Sequence, residues 1–284
     1  MTPILLFLIS MISIFPTRES ENNPIKAMTF NIRYGTANDG ENSWEFRKNL
    51  VFDVICDNKC DFIGLQEAMI FQIDEIIQNC PSYNYIGVTR NIDPTEGEAS
   101  PILYNASKWK LLEGKTHWLS ETPDIPGSKS WNSSFPRIFT WGRFQNIEEK
   151  TEILIFNTHY DHRSAEARFN SSRVIIDYIF TMTNGISAIL LGDFNAPEDQ
   201  DPIIYLTANQ VLPLKDVYRT LHETYEEKDM TFYGWDEHKP GTGKRLDYIF
   251  SMDEIQPVSC EVIQYNIEGR YPSDHMPVIA EFIY

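Results

Sequence analysis

The sequence has little positive charge. Its 24 Lys and Arg residues stand against 41 Asp and Glu, which gives a formal net charge of −17 at pH 7, and no run of Lys or Arg occurs. Proteins that grip nucleic acid through many phosphates usually present a basic surface, so this balance disfavours a nucleic-acid partner. It does not exclude one, because a local group of arginines can hold a phosphate on an otherwise acidic surface.

Long hydrophobic runs are also scarce. The apolar stretch at residues 4–15 (ILLFLISMISIF) is too short to span a bilayer as a helix and lies where the core of an export signal would lie. We therefore predict a signal peptide over residues 1–20 and one catalytic domain over residues 25–284. An N-terminal anchor or a disordered tail is the alternative. Later segments are not apolar enough to cross a membrane, so we expect a secreted protein or one of the secretory-pathway lumen.

Cysteine is rare as well. The four cysteines, Cys56, Cys60, Cys80 and Cys260, have the spacing of neither a CxxC redox pair nor a structural zinc site. In an exported chain they would suit one or two disulfides, whose pairing the sequence leaves open.

What the sequence does contain is enough apolar content, 42%, for one large core. Alternation predicts a first strand from Ala27 to Ile32, and helical spacing follows near residues 44–55 and 70–77. Further strands are expected at residues 61–65, 153–156, 187–191, 246–250 and 277–282, with a helix at 164–180. The Pro- and Gly-rich stretch at 94–135 is expected to form loops that face a substrate.

Polar side chains follow the ends of several of these apolar strands. They are Asn31, Glu67, Asp193, Asn195, Asp247 and Asp274. Asp193 and Asn195 alone would be read as an Asx turn that closes a strand. Repetition at five strand ends is harder to explain in that way, because a hard cation needs several oxygen ligands and one strand end cannot supply them all.

Two histidines accompany these residues. His275 follows Asp274 in a turn-forming stretch, so both are expected at the same rim of the sheet. His159 lies in Asn157-Thr-His-Tyr-Asp-His162, which partly mimics the HxHxDH pattern of two-zinc hydrolases. The pattern fails at its first ligand, because position 157 is Asn, so we disfavour a two-zinc site.

A set of short motifs occurs in a recognisable order. It comprises Met28-Thr-Phe-Asn-Ile-Arg33, Gly64-Leu-Gln-Glu67, Gly97-Glu-Ala-Ser-Pro101, Asn157-Thr-His159, Gly192-Asp-Phe-Asn195, Arg245-Leu-Asp-Tyr-Ile-Phe250 and Ser273-Asp-His-Met-Pro-Val278. From Ala27 to the C-terminus the chain resembles the endonuclease/exonuclease/phosphatase (DNase I-like) superfamily, closest to its small exported members. The resemblance implies an α+β fold, a four-layer αββα sandwich of two mixed β-sheets flanked by helices. It also implies a Mg²⁺-dependent hydrolase, with Mn²⁺ as a possible substitute.

The resemblance further implies roles for individual residues. Glu67, Asn31 and Asp274 would form the metal region. Asp193 would orient or deprotonate the attacking water, and Asn195 would hold that water or a phosphoryl oxygen. His275, paired with Asp247 and therefore expected to be charged, would face the phosphate. His159, oriented by Glu98, would be a second phosphate-facing histidine.

The substrate must be inferred from the loops. Arg90, Arg137, Arg143 and Arg163 lie near the motifs and could clamp a second phosphate; Arg90, Arg143 and Arg163 are our substrate-binding candidates, and a solvated surface arginine is the alternative for each. The charge balance favours a small-molecule or lipid-headgroup phosphoester. An exported nuclease acting on DNA or RNA and a catalytically silent binding protein are the alternatives. We expect a monomer.

Overall fold

The computed structural model describes residues 24–235 and 243–284. Its strands are β1 (Ile25–Asn31), β2 (Phe62–Gln66), β3 (Tyr83–Ile86), β4 (Ile102–Asn105), β5 (Trp109–Trp118), β6 (Ile138–Asn146), β7 (Glu152–His159), β8 (Ala188–Asp193), β9 (Lys215–Asp216), β10 (Asp247–Ser251), β11 (Gln256–Val262) and β12 (Val278–Ile283). Its α-helices are α1 (Trp44–Asn58), α2 (Ile70–Asn79), α3 (Ala165–Met182), α4 (Asp201–Ala208) and α5 (Val217–Leu221).

The strands form two mixed sheets of six strands each. The first has the order β11-β12-β1-β2-β4-β3 and the second β5-β6-β7-β8-β10-β9. Strands β1 and β2, joined through α1, run parallel, and so do β7 and β8, joined through α3. Parallel neighbours need such a crossover, and they bring their carboxyl ends to the same edge of the sheet.

Three apolar layers hold the sheets and helices together. Phe62, Phe144 and Leu191 lie in the layer between the two sheets. Outside the first sheet, α1 and α2 pack through residues such as Ile55 and Ile73, and α3 and α4 cover the second sheet through Ile175, Ile179 and Leu206. The αββα sandwich implied by the family resemblance is therefore confirmed.

A buried amide links the two sheets close to the end of β7. The Asn157 Nδ2 donates to the backbone oxygens of Leu65 and Pro101, both at 2.8 Å, and its Oδ1 accepts from Gln66 Nε2 at 2.7 Å. Gly64 leaves room for this side chain, because a Cβ there would lie 2.6 Å from Asn157 Oδ1. Asn157 therefore fixes the two sheet edges against each other.

Most of the elements predicted from periodicity are present, but the prediction of loops at 94–135 is wrong in part. That stretch contains β4 and β5. Strand β5 is an edge strand whose middle residues, from Glu113 to Lys115, are exposed, so it lacks the apolar alternation that identifies a strand from sequence.

The four cysteines form one disulfide. Cys56, near the end of α1, is bonded to Cys80, which directly follows α2, whereas Cys60 and Cys260 are free and buried. The predicted signal peptide lies outside the described residues. Within residues 24–235 and 243–284, the helices are too short or too polar to span a bilayer.

Candidate active site

The polar strand ends from both sheets meet at one edge of the sandwich. The first sheet supplies Asn31 from β1, Glu67 after β2, and Asp274 and His275 before β12; the second supplies His159 from β7, Asp193 from β8 and Asp247 from β10. Strand register places Asp193 beside both His159 and Asp247. Most of these side chains line a cavity of about 550 Å³, behind which Asn31 and Asp247 are buried.

Asp193 is the most perturbed carboxylate of this cluster. Its Oδ1 accepts the backbone N–H of Asn195 at 2.9 Å, and its Oδ2 accepts from Asn31 Nδ2 at 2.9 Å. Burial, and next the negative charge of Asp247, raise the pKa of Asp193 to about 7, although the His275 charge and these hydrogen bonds oppose the rise. A carboxylate with such a pKa can exchange a proton near neutral pH.

His275 has the opposite electrostatic surroundings. Burial alone would lower its pKa, but the Asp247 carboxylate, whose Oδ2 lies 2.8 Å from His275 Nδ1, raises it to about 10. The expected pairing with Asp247 is thus present, and the imidazole is charged at neutral pH. Its Nε2 lies 3.8 Å from Asp193 Oδ2 and borders the cavity.

His159 is neutral, and its tautomer follows from its partner. The Asn195 amide must place its nitrogen toward the Tyr160 carbonyl, 3.1 Å away, because that oxygen only accepts. The second N–H of this nitrogen points at His159 Nε2, 3.0 Å away, so Nε2 accepts and the ring proton sits on Nδ1. Burial, with the charge of Arg137 next, holds the pKa of His159 well below its usual value.

Glu67, Asn31 and Asp274 form a group of oxygen ligands beside Asp193. Asn31 Nδ2 lies 3.2 Å from Glu67 Oε1, and the pKa of Asp274 is raised, first by burial and then by the charge of Glu67 despite the nearby His275. Buried carboxylates that repel each other are suited to a hard cation. Separately, Asp193, Asp247 and His275 each offer a potential metal-ligating atom within 4.8 Å of the others.

The two candidate groups differ in how well they suit a bound metal ion. In the group with His275, Asp247 Oδ2 is already occupied by His275 Nδ1 at 2.8 Å and Thr231 Oγ1 at 2.6 Å, and a metal ion would have to displace a proton from the imidazole. In the group with Glu67, the two carboxylates offer oxygen atoms, which hard divalent cations prefer, while Asn31 Oδ1 accepts the backbone N–H of Arg33 at 3.0 Å. The chemistry of the donors therefore favours the group of Glu67, Asn31 and Asp274 for a divalent cation, with the two carboxylates as its ligands.

Three sequence-based expectations need correction. Glu98 does not orient His159, since both of its oxygens accept from the Arg90 guanidinium at 2.8 Å, and no hydrogen bond joins it to His159 in the described part of the chain. Arg90 borders the cavity, but this pairing neutralises its charge.

Arg143 lies away from the cavity on β6, where it forms an ion pair with Glu152. Arg163 does line the cavity.

Burial prevents two tryptophans from stacking on a substrate ring. Trp118 and Trp141 are both 6% exposed and belong to the interior. The aromatic rings at the cavity instead include Tyr34, Phe135 and Phe232, which the sequence did not single out. Arg33 and His162 also line the cavity; they stand inside quoted segments but were given no role, because only the fold shows that they reach the site.

The two facing sheet edges bring three kinds of group to one cavity: a carboxylate that ionises near pH 7, a charged imidazole and further oxygen ligands. This combination defines a hydrolase of the phosphoester class. The model of the endonuclease/exonuclease/phosphatase family matches residues 28–275, and the chain belongs to this family. Its members are phosphoesterases that depend on divalent metal ions, so the protein is an enzyme of this kind.

Solved structures and a curated relative agree with this assignment. An endonuclease/exonuclease/phosphatase from Bacteroides vulgatus has a TM-score of 0.85 and 31% identity, covering 92% of this chain and 98% of its own. A mannosyl-6-phosphatase of Bacteroides thetaiotaomicron has a TM-score of 0.83 and 29% identity, covering 92% and 100%. An uncharacterised protein of Acanthamoeba polyphaga mimivirus is 26% identical over 267 residues, 84% of this chain and 92% of the relative.

Proposed function

We propose that the protein is a magnesium-dependent hydrolase that cleaves a small-molecule phosphoester by in-line attack of water. The observation that carries this proposal is the pair of raised pKa values, one of a carboxylate and one of an imidazole, at the same cavity. Asp193, with a pKa of about 7, can accept a proton from water, while His275, with a pKa of about 10, keeps a positive charge beside it. Phosphoryl transfer requires both a positioned water and neutralised phosphoryl charge.

The metal ion would be held by Glu67 and Asp274 with Asn31 between the carboxylates and Asp193. When bound, Mg²⁺, or Mn²⁺ in its place, would neutralise negative charge on the phosphoryl oxygens. The choice of ion is supported by the carboxylate oxygens of Glu67 and Asp274, since the charge of Glu67 helps to raise the pKa of Asp274 even with Arg33 about 4 Å from both.

Side chains of the protein would bind the phosphoryl group, orient the attacking water and accept its proton. His275 Nδ1–H is held by Asp247, so the Nε2–H is available to donate to a phosphoryl oxygen. Both N–H groups of Asn195 are engaged, by Tyr160 and His159, which leaves its Oδ1 as an acceptor. Asn195 is therefore suited to orient the attacking water rather than to donate to the phosphate. Asp193 Oδ2 would then receive the proton of that water.

The substrate class is supported by size and charge. A cavity of about 550 Å³ is of the size that encloses a small molecule, and the net charge of −17 repels a polyanion outside the local site. The similarity to a mannosyl-6-phosphatase points in the same direction. We therefore favour a sugar phosphate or a phosphoester of similar size over nucleic acid.

We also propose that the enzyme is exported. The apolar segment at residues 4–15 and the Cys56–Cys80 disulfide both support this location, because disulfides persist in oxidising compartments.

The test is phosphate release from a panel of sugar phosphates, p-nitrophenyl phosphate and a nucleotide, with Mg²⁺ and with excess EDTA. We expect turnover of the small esters that EDTA abolishes and Asp193→Asn reduces, while the surface variant Arg173→Gln keeps the wild-type rate. Plasmid nicking without small-ester turnover would favour a nuclease instead. Failure of every substrate with Mg²⁺ and Mn²⁺ would favour a silent binding protein.

A further inference from the structure

Arg137 is an almost fully buried cation with unsatisfied donors. It is 5% exposed, and its Nε and Nη1 have no hydrogen-bond partner within residues 24–235 and 243–284. The third nitrogen, Nη2, lies 3.2 Å from His162 Nδ1. Buried donors of a guanidinium are costly to leave unpaired, which makes this position suited to an anionic ligand. Arg137 borders the active-site cavity.

The nearest carboxylate does not supply the missing hydrogen bonds of Arg137. Asp161 Oδ2 lies 3.9 Å from Arg137 Nε, which is beyond hydrogen-bonding distance. The oxygens of Asp161 are already occupied, because they accept from Ser133, Ser134, Arg163 and Ser164. Asp161 thus fixes the two loops that flank Arg137 without forming a hydrogen bond to its guanidinium.

The backbone of Arg137 lies two strands from that of Asp193, although its positive charge helps to lower the pKa of His159. Residues Phe139 and Thr158 pair across β6 and β7, so Arg137, just before β6, lies one strand beyond His159 and two strands beyond Asp193. Neighbouring strands are about 4.8 Å apart, which gives a backbone separation of about 10 Å between Arg137 and Asp193. A group bound to Arg137 would therefore lie beside the scissile phosphate, on the side away from Asp247.

Other side chains complete this end of the cavity. Arg163 and His162 are exposed at its wall, and no ion pair occupies the Arg163 guanidinium in the described part of the chain. The ring of Phe135 lies between the guanidinium carbons of Arg90, 4.5 Å from the ring centre, and Arg137, 5.9 Å from it. Glu98 pairs with Arg90 at 2.8 Å, whereas Arg137 has only the longer ion pair with Asp161, at 3.9 Å.

We propose that Arg137, His162 and Arg163 form a second anion-binding subsite, which takes a phosphate or carboxylate on the same substrate molecule whose phosphoester is cleaved. This inference rests on the proposed function and narrows it to bis-anionic phosphoesters. Burial and the charge of Arg90 both disfavour the charged form of Arg137 and lower its pKa, and a bound anion would relieve this cost.

The test compares ligands that differ in the second anionic group. Dissociation constants of glucose 6-phosphate, glucose 1,6-bisphosphate and 6-phosphogluconate are measured by calorimetry with Mg²⁺, using the full chain with Asp193→Asn to prevent hydrolysis. Charge-assisted hydrogen bonds of this kind change affinity by roughly 10- to 100-fold. We expect at least one of the two bis-anionic ligands to bind at least tenfold more tightly than glucose 6-phosphate. The preferred ligand distinguishes a phosphate from a carboxylate.

Three further variants test which residues cause the tighter binding of the bis-anionic ligand. Arg137→Gln should remove most of it, and Arg163→Gln should reduce it by a smaller factor because that side chain is exposed. Arg143→Gln, whose arginine pairs with Glu152 outside the cavity, should retain it. If Arg137→Gln fails to fold, as judged by thermal melting, the decision rests on Arg163→Gln.

Two results would overturn the subsite. One is equal affinity for the three ligands in the parent chain, and the other is a preference that Arg137→Gln, or Arg163→Gln if the first does not fold, leaves intact. Both are independent of turnover. Loss of the proposed function would instead appear as an absence of metal-dependent phosphate release by the wild-type enzyme.

Discussion

Replacement of Asp247 by Asn should abolish a specific pH dependence of stability. The Asn side chain keeps the shape of the carboxylate and can still accept from His275 Nδ1, but it removes the charge that holds the imidazole protonated. In the folded wild-type protein the pKa of His275 is about 10, against 6.5 for an unperturbed histidine. Without Asp247, the largest effect that opposes burial is lost, and we expect the pKa of His275 to fall, although the charges of Asp193 and Asp274 still raise it.

The size of the effect follows from linkage. At 1.36 kcal/mol per pKa unit, the shift from 6.5 to about 10 corresponds to about 5 kcal/mol. Because the folded-state pKa is raised, this stabilisation is fully present below pH 6.5 and is lost progressively as the pH rises through 10. The Asn variant should lack this decline.

The assay is urea unfolding of metal-free protein in EDTA between pH 6.5 and 9, together with an NMR titration of His275. Asp229→Asn is the matched control. Asp229 is also a buried carboxylate, paired with Arg219, and its lowered pKa keeps it ionised throughout this range. The Asp229→Asn variant should have a lower free energy of unfolding, but the change of that free energy with pH should be the same as in the wild type. A His275 titration near 6.5 in the wild type, or equal slopes in wild type and Asp247→Asn, would refute the reasoning.

Three other substitutions test separate parts of the structure. Asp193→Asn should lower kcat by about 10²- to 10⁴-fold in a phosphate-release assay, the usual contribution of a general base, with a far-UV circular dichroism spectrum like that of the wild type; retained turnover would assign the base elsewhere. The double variant Cys56→Ser/Cys80→Ser should lose about 3 kcal/mol of unfolding free energy, since the disulfide closes a separation of 24 residues, and wild type measured in reducing agent should match it. Asn157→Leu should cost about 1–3 kcal/mol by removing the side-chain donor to the Leu65 carbonyl, while the Pro101 carbonyl still accepts the Leu65 N–H; a melting temperature like that of the wild type would contradict its role as a link between the sheets.

Sequence reasoning located the strand ends that carry chemistry, because a short apolar run followed by a polar residue is a local pattern. Asp193 at the end of β8 was found in this way, whereas Asp247 stands at the start of β10 and was found through its family motif. The neighbours of these residues were harder to infer. Glu98 was expected beside His159, but Arg90, eight residues earlier, pairs with it instead. A local sequence pattern can identify a functional carboxylate, but it does not identify the charged residue with which that carboxylate pairs.

Arg137 illustrates the same difficulty in a different form. Four arginines lay near recognised motifs, and nothing in their local sequence separated the buried one from Arg143, which pairs on the surface of β6. The distinction arises from strand register, since the β6–β7 pairing places Arg137 beyond His159 at the cavity and points Arg143 toward Glu152. Register between distant strands depends on packing that no short motif records.

The two sheets act as one site because neutral amides join their edges. Asn31 uses both N–H groups of its side chain, one toward Glu67 on its own sheet and one toward Asp193 on the other. A carboxylate at position 31 would lose both donors and add a negative charge to a group in which burial already raises the pKa of Asp193 and Asp274. A lysine would bring a charge that competes with a bound cation. An amide holds the ligand-bearing edge and the base-bearing edge together without altering the charge balance on which both depend.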